Sequence, residues 1–386
     1  MIYLDNAATS YPKPANVIDA QLRCMQSECG NAGRGAHVLA MRAAERIFEC
    51  RCELASFFGA ADPSNVIFTP NTTTALNFAI KGLLREGDHV LISDLEHNAV
   101  FRPIYKLARE GKIQYDVFST GVNDPETTEK RLCEEIESHI RPETRMLICS
   151  HASNICSYAL PLAAIGRLCR AYGILFVVDA AQSAGHLPIH VESMGIDALC
   201  APGHKGLLGP QGSGFLLLGK GVVADTLIEG GSGYNSLEGD MPQDAPERYE
   251  AGTLATPAIA GLCAGVRTVK RIGQERISLH LREWNTALQK ELRHVPRVTV
   301  YAPHCQGAIL LFNLNGVPAD HVGHELDKLG FCVRTGYHCA ALGHATLKTP
   351  NGGAVRVSPG FGNTRRQVDM LIHAIERIER KSRDLF

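Results

Sequence analysis

The chain has no C-x-x-C pair among its 13 cysteines. The closest pairing is Cys50 with Cys52, a spacing poorly suited to a tetrahedral zinc site. The odd, scattered set shows no disulfide framework and is expected to stay reduced. Charge of neither sign is in excess: 39 Lys and Arg stand against 40 Asp and Glu, for a formal net charge of -1. That balance excludes a global field for nucleic acid or an anionic membrane. No apolar run reaches the about 18 residues of a membrane span. The opening "MIYLDNAATS" lacks the basic-then-apolar layout of a secretion signal, so residence in the cytoplasm is the expectation. Internal repeats and low-complexity tracts are also missing. The single tryptophan, Trp284, reads as helix packing.

What remains is an ordinary globular composition, 45% hydrophobic and 20% charged over 386 residues, enough for a large core and two domains. The first 13 residues read as an extended arm. An amphipathic pattern over about 39–59, closed by Gly59, predicts a helix. Short apolar strands then alternate with helices: "NVIFTP", "HVLISDLEHNA", "RMLICSHASN", "ILFVVDAAQS", "ALCAPGHKG" and "GSGFLLLG". Continuous apolar strands between helices predict an α/β fold with a mainly parallel sheet covered on both faces. The texture changes near 255. One long helical stretch is expected over about 255–294, then strands at "RVTVYAP" and "GAILLFNL", a helix near 319–330 and a last helix over about 364–381. This second part reads as a smaller α+β domain, giving 14–255 as the large domain and 1–13 with 256–386 as the small one.

Polar groups recur just beyond strand ends: Thr72, His97, Asn154, Asp179 and Lys205. Open α/β sheets bind ligands outside the carboxyl ends of their strands, so five such groups imply one shared cleft. Lys205 lies between glycines in "CAPGHKGLLGP". Read alone it is a solvated charge, but the glycines favour close backbone approach, and a cleft lysine can bond covalently to a carbonyl. Asp179 ends the apolar "FVVD", where a carboxylate is costly unless paired with a lysine, a helix N-terminus or a protonated pyridinium nitrogen. "TPNTTTALN" opens a helix with three threonines, which cap it or, with a lysine and aspartate nearby, bind phosphate. In "RTGYHCA" (334–340), Cys339 sits in a polar turn where a thiolate is stabilised and reachable. Cys149, Cys169, Cys200 and Cys263 lie in apolar runs and read as structural. His321 and His324 are spaced i, i+3 on a predicted helix, but no third ligand accompanies them, so no metal site is expected.

The ordered set "LDNAAT", "TTTALN", "EHNA", "SNICSY", "VVDAAQS", "GHKGLLGP", "EAGT" and "RTGYHCA" resembles the cysteine desulfurase/selenocysteine lyase family, in its SUF-type group, from residue 3 to about 375. That family belongs to the class V aminotransferases of pyridoxal phosphate (PLP) fold type I. The resemblance implies a large domain built on a seven-stranded sheet, PLP as cofactor and a homodimer. It implies conversion of L-cysteine to L-alanine, with a persulfide on Cys339 passed to a sulfur-acceptor protein. Two alternatives stay open: selenocysteine lyase, or a divergent PLP aminotransferase or lyase on another amino acid. By position, Lys205 would hold the cofactor covalently and remove the α-proton, and Asp179 would pair with the ring nitrogen. Gln182 would bond the phenolic oxygen. His97 would stack on the ring and serve as an acid. Thr72, Thr73 and His204 would hold the phosphate, joined by Thr253 from the other subunit. Asn154, Arg356 and, in "NAGRGAH", Arg34 would bind substrate. His338 either lowers the Cys339 pKa or lies on the loop surface.

Three positions depart from that pattern. Pro202 stands where the SUF-type group has a phosphate-binding serine, and it offers neither hydroxyl nor N–H. Tyr337 and Gly33 replace histidines.

Overall fold

A computed structural model describes residues 1–33, 35 and 37–383. Its centre is a seven-stranded sheet in the order Val66–Thr69, Gly214–Leu218, Ala198–Pro202, Leu175–Asp179, Thr144–Ser150, His89–Ser93, Gln114–Phe118. Only Gly214–Leu218 runs against its neighbours, so the sheet is mainly parallel, as the strand texture predicts. Strands buried along their whole length, such as "HVLIS", "ALCAP" and "GFLLL", lie inside the sheet. The half-exposed "QYDVF" forms an edge. Two apolar clusters cover the two faces, one around Phe58, Phe176 and Phe215, the other around Ile67, Ile80 and Ile92.

The second unit carries a four-stranded antiparallel sheet in the order Arg334–Gly336, Ala354–Val357, Leu310–Leu314, Val298–Val300. Helices Gln274–Leu292, Ala319–Lys328 and Arg365–Ser382 contribute to its core. The N-terminal arm joins this unit: Ile2–Tyr3 pairs in parallel with Phe331–Cys332, and Leu4 is fully buried in the same cluster. Trp284 packs there, its Nε1 donating to Thr364 O at 3.0 Å.

The single long helix expected over 255–294 is two helices, Thr256–Ile272 and Gln274–Leu292. They break at Gly273, which takes φ 91° and ψ 127°, a conformation open to glycine and costly for other residues. Thr256–Ile272 puts Ile259, Leu262, Cys263 and Val266 into the core of the large sheet. Among the described residues no helix is long and apolar enough to cross a membrane.

Candidate active site

The carboxyl ends of the sheet strands converge as the spacing predicts. Thr72, Thr73, His97, Ser150, Asn154, Asp179, Gln182, Pro202, His204 and Lys205 line one cleft.

Beyond Val66–Thr69, Asn71 caps the helix Thr72–Leu83, its Oδ1 accepting from Thr74 N at 2.9 Å. The cap uses Asn71, which leaves the threonines free for another task. Thr72 Oγ1 is buried with no hydrogen-bond partner. The first N–H groups of any helix lack intrahelical acceptors, and the helix dipole adds positive potential there. An unpaired buried hydroxyl at that end fits a phosphate oxygen.

His97 caps the next helix, Asn98–Arg109, with Nδ1 accepting from Ala99 N at 3.0 Å. The neutral ring therefore carries its proton on Nε2. Burial, then the nearby charges of Lys205, Arg356, Arg102 and Arg334, lower its pKa to about 4. Near neutral pH it therefore presents an N–H at Nε2.

Asp179 ends its strand buried, with Oδ1 accepting from Ala181 N at 2.9 Å. Burial raises its pKa, so a cation at its other oxygen is what would hold it ionised. Gln182 Nε2 donates to Ala7 O at 2.9 Å, which ties the cleft to the N-terminal arm. Lys205 follows on a turn packed so closely that a Cβ on Gly206 would lie 2.3 Å from Ala184 O. Desolvation lowers the Lys205 pKa to about 8, opposed by Asp179. The side chain of His204 is oriented by Thr9, Nδ1 lying 3.1 Å from Oγ1.

Above the cleft the second unit supplies Arg356 and Cys339. Arg356 is buried; Nη2 contacts Asp5 Oδ1 at 2.7 Å and Nη1 donates to Asn154 O at 3.1 Å. Its Nε is buried without a partner, as is Asn154 Oδ1. Cys339 is exposed, while Cys149 and Cys200, among others, are buried, their thiol pKa raised by burial. The Cys339 turn is tied down twice: Asn98 N donates to Cys339 O at 2.7 Å, and Asn154 Nδ2 donates to His338 O at 2.8 Å. His338 is buried rather than on the loop surface. Burial, followed by the charge of Arg356, pushes its pKa down to about 3. It is therefore a neutral ring, not a cation, next to Cys339.

Thr253 lies outside this cleft, exposed, with Asn31 Nδ2 at 3.5 Å. Arg34 lies outside the described residues.

Two carboxylates were not singled out from the sequence. Asp5 holds Arg356 from the "LDNAAT" arm. Glu96, beside His97, is fully buried and accepts from Ser93 Oγ and from Ser150 N and Oγ, both at 2.9 Å. Burial raises its pKa to about 7. It ties the loop carrying His97 to the strand end beside Asp179, since Ser150 and Asp179 are register partners. Its available signal was an acid three residues beyond the apolar strand "HVLIS" and directly before His97.

Residues 2–371 match the aminotransferase class-V family. A probable cysteine desulfurase of Methanothermobacter thermautotrophicus is 34% identical over 389 residues, spanning 98% of this chain and 94% of that protein. A cysteine desulfurase of Yersinia pseudotuberculosis is 31% identical over 391 residues, at 98% and 94% coverage. Among solved structures, an apo cysteine desulfurase from Thermococcus onnurineus superposes with a TM-score of 0.89 at 27% identity, covering 98% of this chain and 95% of that one. The cysteine desulfurase CsdA from Escherichia coli, in an S-sulfonic acid form, gives 0.86 at 27% identity, covering 97% and 94%.

Proposed function

This chain belongs to the aminotransferase class-V family, a family of PLP enzymes, and from that premise we propose that it is a PLP-dependent cysteine desulfurase. It takes L-cysteine to L-alanine and keeps the sulfur as a persulfide on Cys339 for an acceptor. The observation that carries this reading is one cleft with a desolvated lysine, a buried aspartate and an unpaired threonine hydroxyl, next to which a pinned turn carries an exposed cysteine.

The residues present fit the cofactor. Thr72, Thr73 and His204 would hold the phosphate with no help from Pro202. Asp179 would face the ring nitrogen, Gln182 the phenolic oxygen, and His97 the ring plane. When bound, PLP supplies an electron sink for negative charge at the substrate α-carbon. The protein groups do the rest. Lys205, its pKa lowered to about 8, holds a useful fraction of neutral amine, so Nζ can take the α-proton. Asn154 and Arg356 bind the substrate carboxylate, and the unpaired Arg356 Nε is a donor for it. Cys339 Sγ attacks the substrate sulfur. An S–S bond forms, the Cβ–S bond breaks, and its electron pair leaves towards Cβ, which gains a proton to become the methyl of alanine, while the α-carbon regains the proton held on Lys205 Nζ.

The working form in this reading is a homodimer, in which Thr253 reaches the phosphate of the partner's cofactor. An apolar stripe supports it. Ile18, Leu22 and Met25 recur on one face of Ala15–Ser27, each more than half exposed, and Phe48 on Val38–Phe58 is 62% exposed. Exposed stripes of this kind mark interfaces. Sedimentation should give the mass of two chains, and Leu22→Glu with Met25→Glu should give one. A doubly substituted protein that stays dimeric would place the interface elsewhere. The protein is expected to act in the cytoplasm.

The function is tested by adding L-cysteine to the PLP-loaded protein with a reductant and assaying alanine and sulfide. Equal amounts of both are expected. Cofactor absorbance without either product would overturn L-cysteine as substrate and turn attention to L-selenocysteine.

A further inference from the structure

The turn that presents Cys339 is strained. His338 has φ 51° and Cys339 φ 55°, two successive side-chain-bearing residues in the left-handed region. Such conformations persist only where the surroundings over-determine them. The backbone contacts from Asn98 and Asn154 supply part of that, and Ala340 N to Tyr337 O at 2.9 Å closes the turn. The remainder comes through side chains outside the catalytic set.

The His338 ring stacks on His344 with planes 11° apart, and Tyr337 meets His344 edge-on. His338 Nε2 lies 3.4 Å from Arg334 O, His338 Nδ1 lies 3.2 Å from His344 Nε2, and His344 Nδ1 lies 2.8 Å from Thr349 Oγ1. The proton positions follow from one end. A carbonyl oxygen only accepts, so His338 Nε2 carries the proton and donates to Arg334 O. A neutral His338 then accepts at Nδ1, so His344 Nε2 donates. A neutral His344 accepts at Nδ1, so the Thr349 hydroxyl donates. Both rings are neutral, because both are buried and the charges facing His338, Arg356 and Arg334, are cations. Every ring contact is satisfied by this one direction, and the Thr349 hydroxyl proton goes to Nδ1 at 2.8 Å rather than to His344 O at 3.5 Å. The chain starts beyond the helix Ala341–Thr346 and ends at the first residue of the strand Arg334–Gly336, so it closes across the Cys339 turn from both flanks.

We propose that this one-way chain, from Thr349 through His344 and His338 to Arg334 O, holds Cys339 in its attacking position, making His344 and Thr349 positioning residues for sulfur transfer. The role in sulfur transfer rests on the desulfurase reading; the hold on the turn does not.

The test uses the full-length, PLP-loaded protein with His344→Ala, His344→Gln and Thr349→Val. Glutamine places a donor where Nε2 stood, and valine removes only the hydroxyl. In His344→Ala, amide exchange across 336–341 should speed up by about tenfold or more, with the rest of the small unit unchanged. The kcat for L-cysteine should fall by about tenfold or more while KM stays within about threefold, since Arg356 and Asn154 are untouched. Thr349→Val should show the same signs more weakly, and His344→Gln should recover most of both. Wild-type exchange in His344→Ala, or exchange raised equally throughout the small unit, overturns the proposal. Wild-type kcat with faster exchange also overturns it. If the unsubstituted protein does not turn over L-cysteine, the desulfurase reading fails, and the exchange data still decide whether the chain holds the turn.

Discussion

Lys205→Ala should reduce alanine formation from L-cysteine by ~10³-fold or more, within the range lost when a positioned proton-transfer group is removed. Two losses combine in this variant. The covalent hold on the cofactor goes, and so does the amine that takes the α-proton. The lysine suits both tasks because its surroundings lower its pKa to about 8 while the closely packed turn at Gly206 keeps it at the sheet end. Borohydride reduction separates the two losses. It should fix cofactor mass on the Lys205 peptide of the unsubstituted protein and on no peptide of the variant. Cofactor fixed to another lysine, such as the half-buried Lys13, would mean that the attachment point is misassigned. The fold should survive, because a lysine amine without an ion pair is being removed rather than one partner of a buried pair.

Cys339→Ala makes a different pattern. Sulfide and persulfide formation should fall by about a hundredfold or more, because the nucleophile is lost. Cofactor absorbance should be unchanged, since Cys339 does not line the cleft that would hold it. Stability should move by no more than about 0.5 kcal/mol, as expected for an exposed side chain. The left-handed turn stays pinned, because Asn98 and Asn154 bind backbone atoms of 338 and 339. A variant that releases sulfide at the original rate would show that sulfur leaves without attack by Cys339. Should it lose L-cysteine turnover but keep L-selenocysteine turnover, lyase chemistry would be the better description.

The sequence made the frame of this site readable because strand ends have a regular meaning. Apolar runs such as "FVVD" and "LCAP" end where polar residues begin, and a parallel sheet brings such ends together. That is why Thr72, His97, Asn154, Asp179 and Lys205 meet as expected. What it did not disclose depends on contacts between distant residues. Arg356 reads as a free substrate clamp, yet it is already held by Asp5, 351 positions away. His338 reads as a possible cation beside Cys339, yet burial under Arg356 keeps it neutral, a fact of the folded environment alone. Glu96 was hidden by its neighbour His97, and two of its three contacts, those from Ser150, exist only once the strands His89–Ser93 and Thr144–Ser150 align. The break at Gly273 was present in the letters, but apolar positions continue on both sides of it. A lone glycine does not by itself end a helix; here its positive φ does.

The central claim is that sulfur passes from L-cysteine to Cys339. The most direct measurement is a single turnover of the PLP-loaded protein with L-cysteine and no reductant, followed by alkylation and peptide mass mapping. The account predicts one additional sulfur atom on the peptide containing Cys339, formed in step with alanine and absent from the peptide containing the other exposed cysteine, Cys29. Alanine appearing while the Cys339 peptide keeps its original mass would contradict it.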